Sequence, residues 1–369
     1  MELQTIVVYT TLTIAFYAFA KAGKKYNSFW LLIAGLLVYT FIFAVRKGVG
    51  TDFFTYQHWY NEDFFYETEI GFQFLIDILH LLGMPSEIFF GVVAFLQLFF
   101  IFLAFRRCPA LWPMLVLAFM LSGQWHQYAN GLRQWIAFSL FVYSLRFIEE
   151  KNCLKHYVCI ALAATMHTSA LLLVAMYPIF TFKTEWFKSI WIQMSLFAFA
   201  VLLSQMDTIN MVLKKVDLLI ALLGYSSYVD NVDNWKFMET DVTFGFGVLY
   251  LLTRQGLVIY LSNRVKRFYH SQIVNIIYDL CFFGFLWRWV FVSSMMFGRI
   301  NYYFLGFEFI MEALVLYMLI QWKKKSMFWV FFGLCTIQYI LTLLLMHDNH
   351  SLYIFTWQDY PVYKLSNYN

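Results

Sequence analysis

Long apolar runs separated by short basic clusters constrain this 369-residue chain more than any motif in it. A helix needs about 20 apolar residues to cross the hydrocarbon layer, where no water can satisfy an open backbone. Runs of that kind lie at about 3–20, 28–45, 87–105, 110–125, 130–148, 189–205, 244–262, 273–297, 300–320 and 327–346. Charged residues make up only 13% of the chain and hydrophobic residues 62%, against roughly 25% charged in a soluble domain. Such a chain cannot cover a globular surface with charge, which excludes a soluble enzyme, a disordered chain and a nucleic-acid binder. The expected fold class is an all-α polytopic membrane protein, with about 10–11 transmembrane helices plus a re-entrant or half-helix hairpin. Cys108, Cys153, Cys159, Cys281 and Cys335 are scattered without a CxxC pair and read as small packing residues, not a disulfide framework or zinc site.

Basic clusters set the expected orientation, because short cytoplasmic loops accumulate Lys and Arg. The clusters are Lys21/Lys24/Lys25, Arg106/Arg107, Arg146/Lys151/Lys155, Lys183/Lys188, Arg264/Lys266/Arg267 and Lys323/Lys324/Lys325. Glu2 precedes the first run and the lysines follow it, the reverse of a secretory signal, so the first helix reads as retained with its N-terminus outside. All six clusters face the cytoplasm only if 156–181 enters and leaves on one side, as a hairpin with His167 near its tip. An ordinary single crossing is the alternative. Segment 71–83 is too short to span and reads as interfacial. The acidic loops about 46–70 and 206–243, the latter with a candidate interfacial helix at 207–223, and the tail 347–369 then lie outside. With no internal repeat, the chain 1–369 reads as a single integral membrane domain.

Five arginines sit in or beside apolar segments: Arg46, Arg133, Arg254, Arg288 and Arg299. A mid-bilayer arginine costs about 3 kcal/mol on insertion scales, so it usually faces a cavity or a partner. The plainer reading is snorkelling, or pairing with Asp77, Asp279, Glu308 or Glu312. The guanidinium fork binds phosphate oxygens two at a time and keeps its charge, so arginines beneath the outer leaflet suit a lipid-linked pyrophosphate.

Polar islands lie between the spans. Asn130, Arg133 and Gln134 have the spacing of one helix face, with Asn130-Gly131 at the start of that helix. Its positive end would favour an anion; a simple outer turn with a snorkelling arginine is the alternative. Arg46 and Lys47 run into Gly48-Val49-Gly50-Thr51-Asp52, a turn that aims the Asp52 carboxylate or caps a helix through Tyr56 and Tyr60. Arg299 precedes Tyr302 and Tyr303, read as one helical face. His167, followed by Thr168-Ser169-Ala170, suits general-base work near neutral pH or simply packs the hairpin. Trp59, Tyr60 and Trp125 suit sugar stacking or an interface, and His347 and His350 have no zinc spacing.

Taken in order, these islands resemble the EpsG/Wzy family of polysaccharide repeat-unit polymerases. The matching stretches are Arg46 with Gly50-Thr51-Asp52 and Tyr56; Glu69-Ile70-Gly71-Phe72; Asn130-Gly131-Leu132-Arg133-Gln134; His167-Thr168-Ser169-Ala170-Leu171; and Arg299 with Tyr302-Tyr303-Phe304. The likeness covers about 40–175 and, more loosely, 290–310; the loop 206–243 matches nothing familiar. The resemblance implies the fold class of multispanning lipid-linked sugar transferases and a metal-independent glycosyltransferase without cofactor. Its donor would be a growing glycan on undecaprenyl pyrophosphate, and its acceptor the terminal sugar of a lipid-linked repeat unit. The site would face the outer, periplasmic side of the bacterial cytoplasmic membrane. The product would be O-antigen of lipopolysaccharide, capsule or exopolysaccharide, with chain-length regulator and flippase proteins as partners. In that frame Arg133 and Arg299, with Arg46 and Arg288, stabilise the leaving diphosphate. His167 or Asp52 takes the hydroxyl proton. Arg254, Asn130, Gln134, Tyr56, Tyr302 and Tyr303 would contact substrate. Competing readings are an O-antigen ligase, a sugar acyltransferase and a flippase or exporter of lipid-linked glycans; exporters often carry internal repeats, and none is found here.

Overall fold

The computed structural model describes residues 2–62, 69–206, 245–345 and 352–358, and among them it is built of helices with a single isolated β-bridge. Five helical segments are long and apolar enough to cross a membrane: Leu3–Tyr26, Ser86–Ala104, Gln272–Val290, Phe297–Gln321 and Lys325–Leu344. Shorter apolar helices, Phe29–Ala44 and Ile190–Leu203 among them, accompany these. The chain is an all-α polytopic membrane protein. Most of the loop 206–243 and the tail 347–369, including the candidate helix 207–223, lies outside the described residues. The chain divides into two compact units, one of Met1–Phe182 with Glu312–Asn369, the other Lys183–Met311.

In the first unit, α1 (Glu2–Tyr26) and α2 (Phe29–Ala44) pack as a hairpin, and α2 packs on α3–α5 through α5. Here α3 is Phe53–Glu62, α4 Ile70–Leu81 and α5 Ser86–Ala104. Then come α6 (Trp112–Leu121), α7 (Gln124–Asn130), α8 (Leu132–Glu149), α9 (Cys153–Met166) and α10 (Met176–Phe182). The central layer is α5, α8 and α9, with α8 buried along nearly its whole length. In Lys325–Leu344, by contrast, Trp329, Val330, Ile337, Ile340 and Leu344 are exposed, as suits a helix whose outer face meets lipid.

Basic residues gather at one end of this unit. Lys24 and Lys25 close the last turn of α1, where they complement the helix dipole. Arg106, just past α5, lies 5.4 Å over the Phe29 ring at the start of α2. The other end collects the exit of α2, the start of α1 and residues 352–358. Arg46 bridges Phe355, Lys47 N–H donates to the Ile354 carbonyl (2.8 Å), and Gln4 donates to Gln358 (2.7 Å).

Residues 153–182 fold back on themselves. Asn152 caps α9 by accepting from Lys155 N–H (3.1 Å), and α9 stops at His167, whose backbone is extended (φ −156°). A 3-10 stretch, Thr168–Ala175, and then α10 return the chain until Tyr177 lies against His156 and Tyr157, with ring centroids 5.4 and 5.5 Å apart. The tip of this turn holds His167 and Thr168.

Candidate functional site

Glu69, immediately before α4, is the hub of a polar cluster inside the first unit. His167 Nδ1 donates to Glu69 Oε1 at 2.8 Å, and the backbone N–H of Thr168 donates to the same oxygen at 3.0 Å. Arg133 Nη1 pairs with the other oxygen, Oε2. Arg133 Nε donates to the Tyr56 hydroxyl at 3.3 Å. Phe72 closes one side, with its ring 5.9 Å from the guanidinium carbon.

Local backbone features bring these distant segments together. The break at His167 leaves the Thr168 N–H at the start of a new helical stretch, without an intrahelical acceptor and free to bind a carboxylate. Gly71, in the first turn of α4, lies so close to the last turn of α9 that a Cβ would sit 2.3 Å from Thr165 Oγ1 and 2.9 Å from its carbonyl oxygen. Glycine alone lets Glu69 reach His167.

The electrostatics are defined by Glu69. Burial pushes its carboxyl up, but the His167 and Thr168 hydrogen bonds and the Arg133 charge outweigh that and hold it at about 2. A carboxylate accepts only, so Nδ1 of His167 carries the hydrogen and Nε2 of the neutral ring keeps its lone pair. Among the described residues, Nε2 has no hydrogen bond. Arg133 is offset in charge by Glu69, yet its Nη2 is likewise without a hydrogen bond among the described residues. The cluster thus offers an imidazole nitrogen with a lone pair and, across the Glu69 carboxylate from it, a guanidinium edge with donors to spare.

Asp52 borders the cluster. It is half-buried just before α3, its carbonyl accepts from Tyr56 N–H (3.0 Å), and its charge acts on the Tyr56 hydroxyl that Arg133 also touches. Asn130 is differently placed from what its spacing suggests: it ends α7, Gly131 intervenes, and Arg133 lies in the first turn of α8. Its Oδ1 accepts from the Thr51 N–H (2.6 Å) and hydroxyl (3.2 Å). Gly50, at φ +101°, permits that contact, since a Cβ there would be 2.7 Å from Asn130 Oδ1. Gln134 is buried, and Arg46 is buried with Nη2 donating to the Ala129 carbonyl (3.2 Å).

The second unit holds the remaining arginines. Arg254 Nη2 donates to Glu308 Oε1 at 2.6 Å, with both side chains buried. Arg288 lies near enough to Glu308, Arg254 and Tyr302 for their charges to act on it. Arg299 is exposed at the end of helix Met295–Ile300. Tyr302, half-buried, opens a separate short helix, Tyr302–Leu305, in which Tyr303 is fully buried. Between them Asn301 stays in the right-handed helical region (φ −62°, ψ −19°) and its N–H donates to the Phe297 carbonyl (3.1 Å), so Arg299, Tyr302 and Tyr303 keep helical spacing while differing in exposure.

Helical among its described residues and carrying a carboxylate–imidazole–guanidinium cluster, the chain is a polytopic membrane protein with a candidate acid–base centre. Its sequence matches the EpsG family over residues 28–360, and the chain belongs to that family. The family is one of polysaccharide polymerase-like proteins, so the protein has a polymerase- or glycosyltransferase-like activity in polysaccharide biosynthesis. No curated protein and no solved structure matches it. Sequence reasoning left Glu69 out of the site, counting it among the acidic residues of the loop 46–70. The available signal was a carboxylate two residues before a glycine that opens an apolar helix.

Proposed function

We propose that the protein joins lipid-linked oligosaccharide repeat units, moving a growing glycan from undecaprenyl pyrophosphate onto the terminal sugar of a single unit. The observation that carries this reading is the Glu69 carboxylate, bonded to His167 Nδ1 on one oxygen and Arg133 on the other. In the proposed reaction His167 Nε2 removes the proton from the acceptor hydroxyl. That oxygen forms a bond to the donor's anomeric carbon, and the bond from this carbon to the pyrophosphate oxygen breaks, its electron pair leaving with the diphosphate. Glu69 holds the imidazole tautomer and stabilises the imidazolium that forms, the role a carboxylate plays beside a catalytic histidine elsewhere. The unengaged N–H groups of Arg133 bind the diphosphate as its charge grows. A diphosphate is a good leaving group, so the reaction is proposed to proceed without a metal ion.

Asp52 is assigned the acceptor sugar, beside Tyr56. Arg288, Arg299 and Tyr302 are proposed, on the chemistry of their side chains, as phosphate and sugar contacts, whereas Arg254, buried against Glu308, and Tyr303, fully buried, are assigned to packing behind them. Asn130 and Gln134 support the backbone from which Arg133 projects. The site is proposed to face the outer side of the bacterial cytoplasmic membrane. Its support is the distribution of charge in the first unit, where Lys24, Lys25 and Arg106 lie at the end of α2 opposite Arg46.

The test is reconstitution of the purified protein in detergent with lipid-linked repeat units alone. A ladder of glycan lengths is expected without nucleotide sugar or ATP, and Arg133→Ala should abolish it with the fold intact. A folded protein that makes no ladder overturns the reading. Arg299→Ala should also abolish the ladder, and full activity there removes Arg299 from the proposal. For sidedness, in a background lacking the exposed Cys108 and Cys153, Thr184→Cys should resist outside-only thiol reagents and Trp235→Cys should label. Position 235 lies outside the described residues.

A further inference from the structure

Arg46 carries a buried charge that no described residue offsets with a carboxylate. It is only 1% exposed, and among the described residues it has no carboxylate partner. Its one hydrogen bond runs from Nη2 to the Ala129 carbonyl, and its Nε makes none. The rings of Phe43, Phe90 and Phe53 surround the guanidinium carbon at 5.1, 5.3 and 5.9 Å. Their π faces attract a cation and so offset part of the burial cost, but they carry no counter-charge. A buried guanidinium without one is costly.

The neighbouring polar groups share the same deficit. The groups whose charge acts on Arg46 are Tyr9, Tyr39 and Tyr353, and Tyr39 in turn acts on Tyr128. Tyr353 donates to the Ile42 carbonyl at 2.7 Å and is satisfied. The hydroxyls of Tyr9, Tyr39 and Tyr128, all on fully buried residues, have no hydrogen-bond partner among the described residues. Aromatic contacts hold these rings in place: Tyr39 stacks on Phe43 (4.3 Å) and meets Phe119 (5.8 Å), which meets Tyr128 (5.0 Å), while Tyr9 packs on Trp125 (4.0 Å) and Tyr353 (5.6 Å). Among the described residues, therefore, three O–H groups and one N–H of a cation lack an acceptor, and no carboxylate is paired with Arg46.

That combination specifies the missing component chemically. It must accept hydrogen bonds from several directions, carry one negative charge and fit among aromatic side chains. We propose that Arg46, Tyr9, Tyr39 and Tyr128 bind a single buried halide ion, chloride under cellular conditions. Water would meet the hydrogen bonds but leave the charge uncompensated. The site is independent of the polymerase reading. By neutralising Arg46 it would secure the Ala129 carbonyl, at the end of the helix that precedes Arg133.

The test uses the full chain in detergent, dialysed into isethionate and titrated with sodium chloride or bromide at fixed ionic strength. The melting midpoint of the native protein is expected to rise with halide and saturate. Tyr39→Phe and Tyr9→Phe should each raise the half-saturating halide concentration about tenfold, the worth of one hydrogen bond to a charged group. Arg46→Met should abolish the halide response. If that variant does not fold, the two phenylalanine variants decide the matter. Crystals grown in bromide should show an anomalous peak within hydrogen-bond distance of Arg46 Nε. A melting midpoint indifferent to halide, an unchanged response in both phenylalanine variants, or ordered water alone beside Arg46 would overturn the proposal.

Discussion

Two partly or fully buried arginine–glutamate pairs among the described residues, one in each compact unit, have surroundings that give them different work. In Arg254–Glu308 the side chains are 4% and 3% exposed; in Arg133–Glu69 they are 21% and 14% exposed. The deeply buried pair is held at 2.6 Å with desolvation on both sides. Such a pair adds little net stability compared with apolar residues of the same volume, but losing one partner strands a charge. The half-open pair differs in what the second carboxylate oxygen does: in Glu69 it holds His167 and the Thr168 N–H. An ion pair becomes a candidate acid–base centre when its carboxylate also fixes the tautomer of an imidazole with a free nitrogen.

The sharpest way to break this comparison is to remove the imidazole. His167→Gln should lower the rate of polymerisation about 10²–10⁴-fold, the usual range for a general base, while leaving the melting midpoint nearly unchanged. A variant with normal rate would reduce the Glu69 cluster to a second structural pair. For the buried pair the expectation reverses. Arg254→Met should destabilise the fold by about 3–5 kcal/mol through the stranded Glu308, and joining it to Glu308→Leu should recover most of that loss. Chemical denaturation of the single and double variants measures both.

Smaller effects sharpen the picture. Glu69 lies at about 2 against an ordinary 4.5, so its ionised form stabilises the folded state. That contribution is complete above pH ~4.5 and is lost as pH falls through about 2. The native protein should therefore lose melting midpoint across that window, and Glu69→Gln should lack this component of the loss; parallel acid titrations that coincide would contradict the assignment. Gly71→Ala should cost about 1–3 kcal/mol as an overpacked contact, and should lower activity further by separating Glu69 from His167. Asn130→Ala, which removes the acceptor for Thr51, should cost about 1 kcal/mol, the mildest change of the set.

The helical membrane architecture was legible before any coordinates, because the apolar runs and their basic breaks are one-dimensional signals. The break at His167 was legible too, since a 26-residue segment between two basic clusters has too little length for two full crossings. Helix ends were less so. The spacing of Asn130, Arg133 and Gln134 fits one helical face, yet the helix stops at Asn130, where Gly131 leaves the helical region (φ −80°, ψ 57°) while Asn130 accepts from the Thr51 N–H.

By itself, the sequence determined that this protein lives in lipid, that it is helical, and which polar residues it retains there at energetic cost. Those follow from hydropathy and the price of an unsatisfied charge, which depend on composition along the chain. Which of the arginines meets which carboxylate was decided only by tertiary structure. Glu69 and His167 are 98 positions apart, and they meet because Gly71 allows two helices to approach at a point that no local pattern marks. Pairing across such distances is set by three-dimensional packing, so the same residue types yield a buried strut in one unit and a candidate catalytic centre in the other.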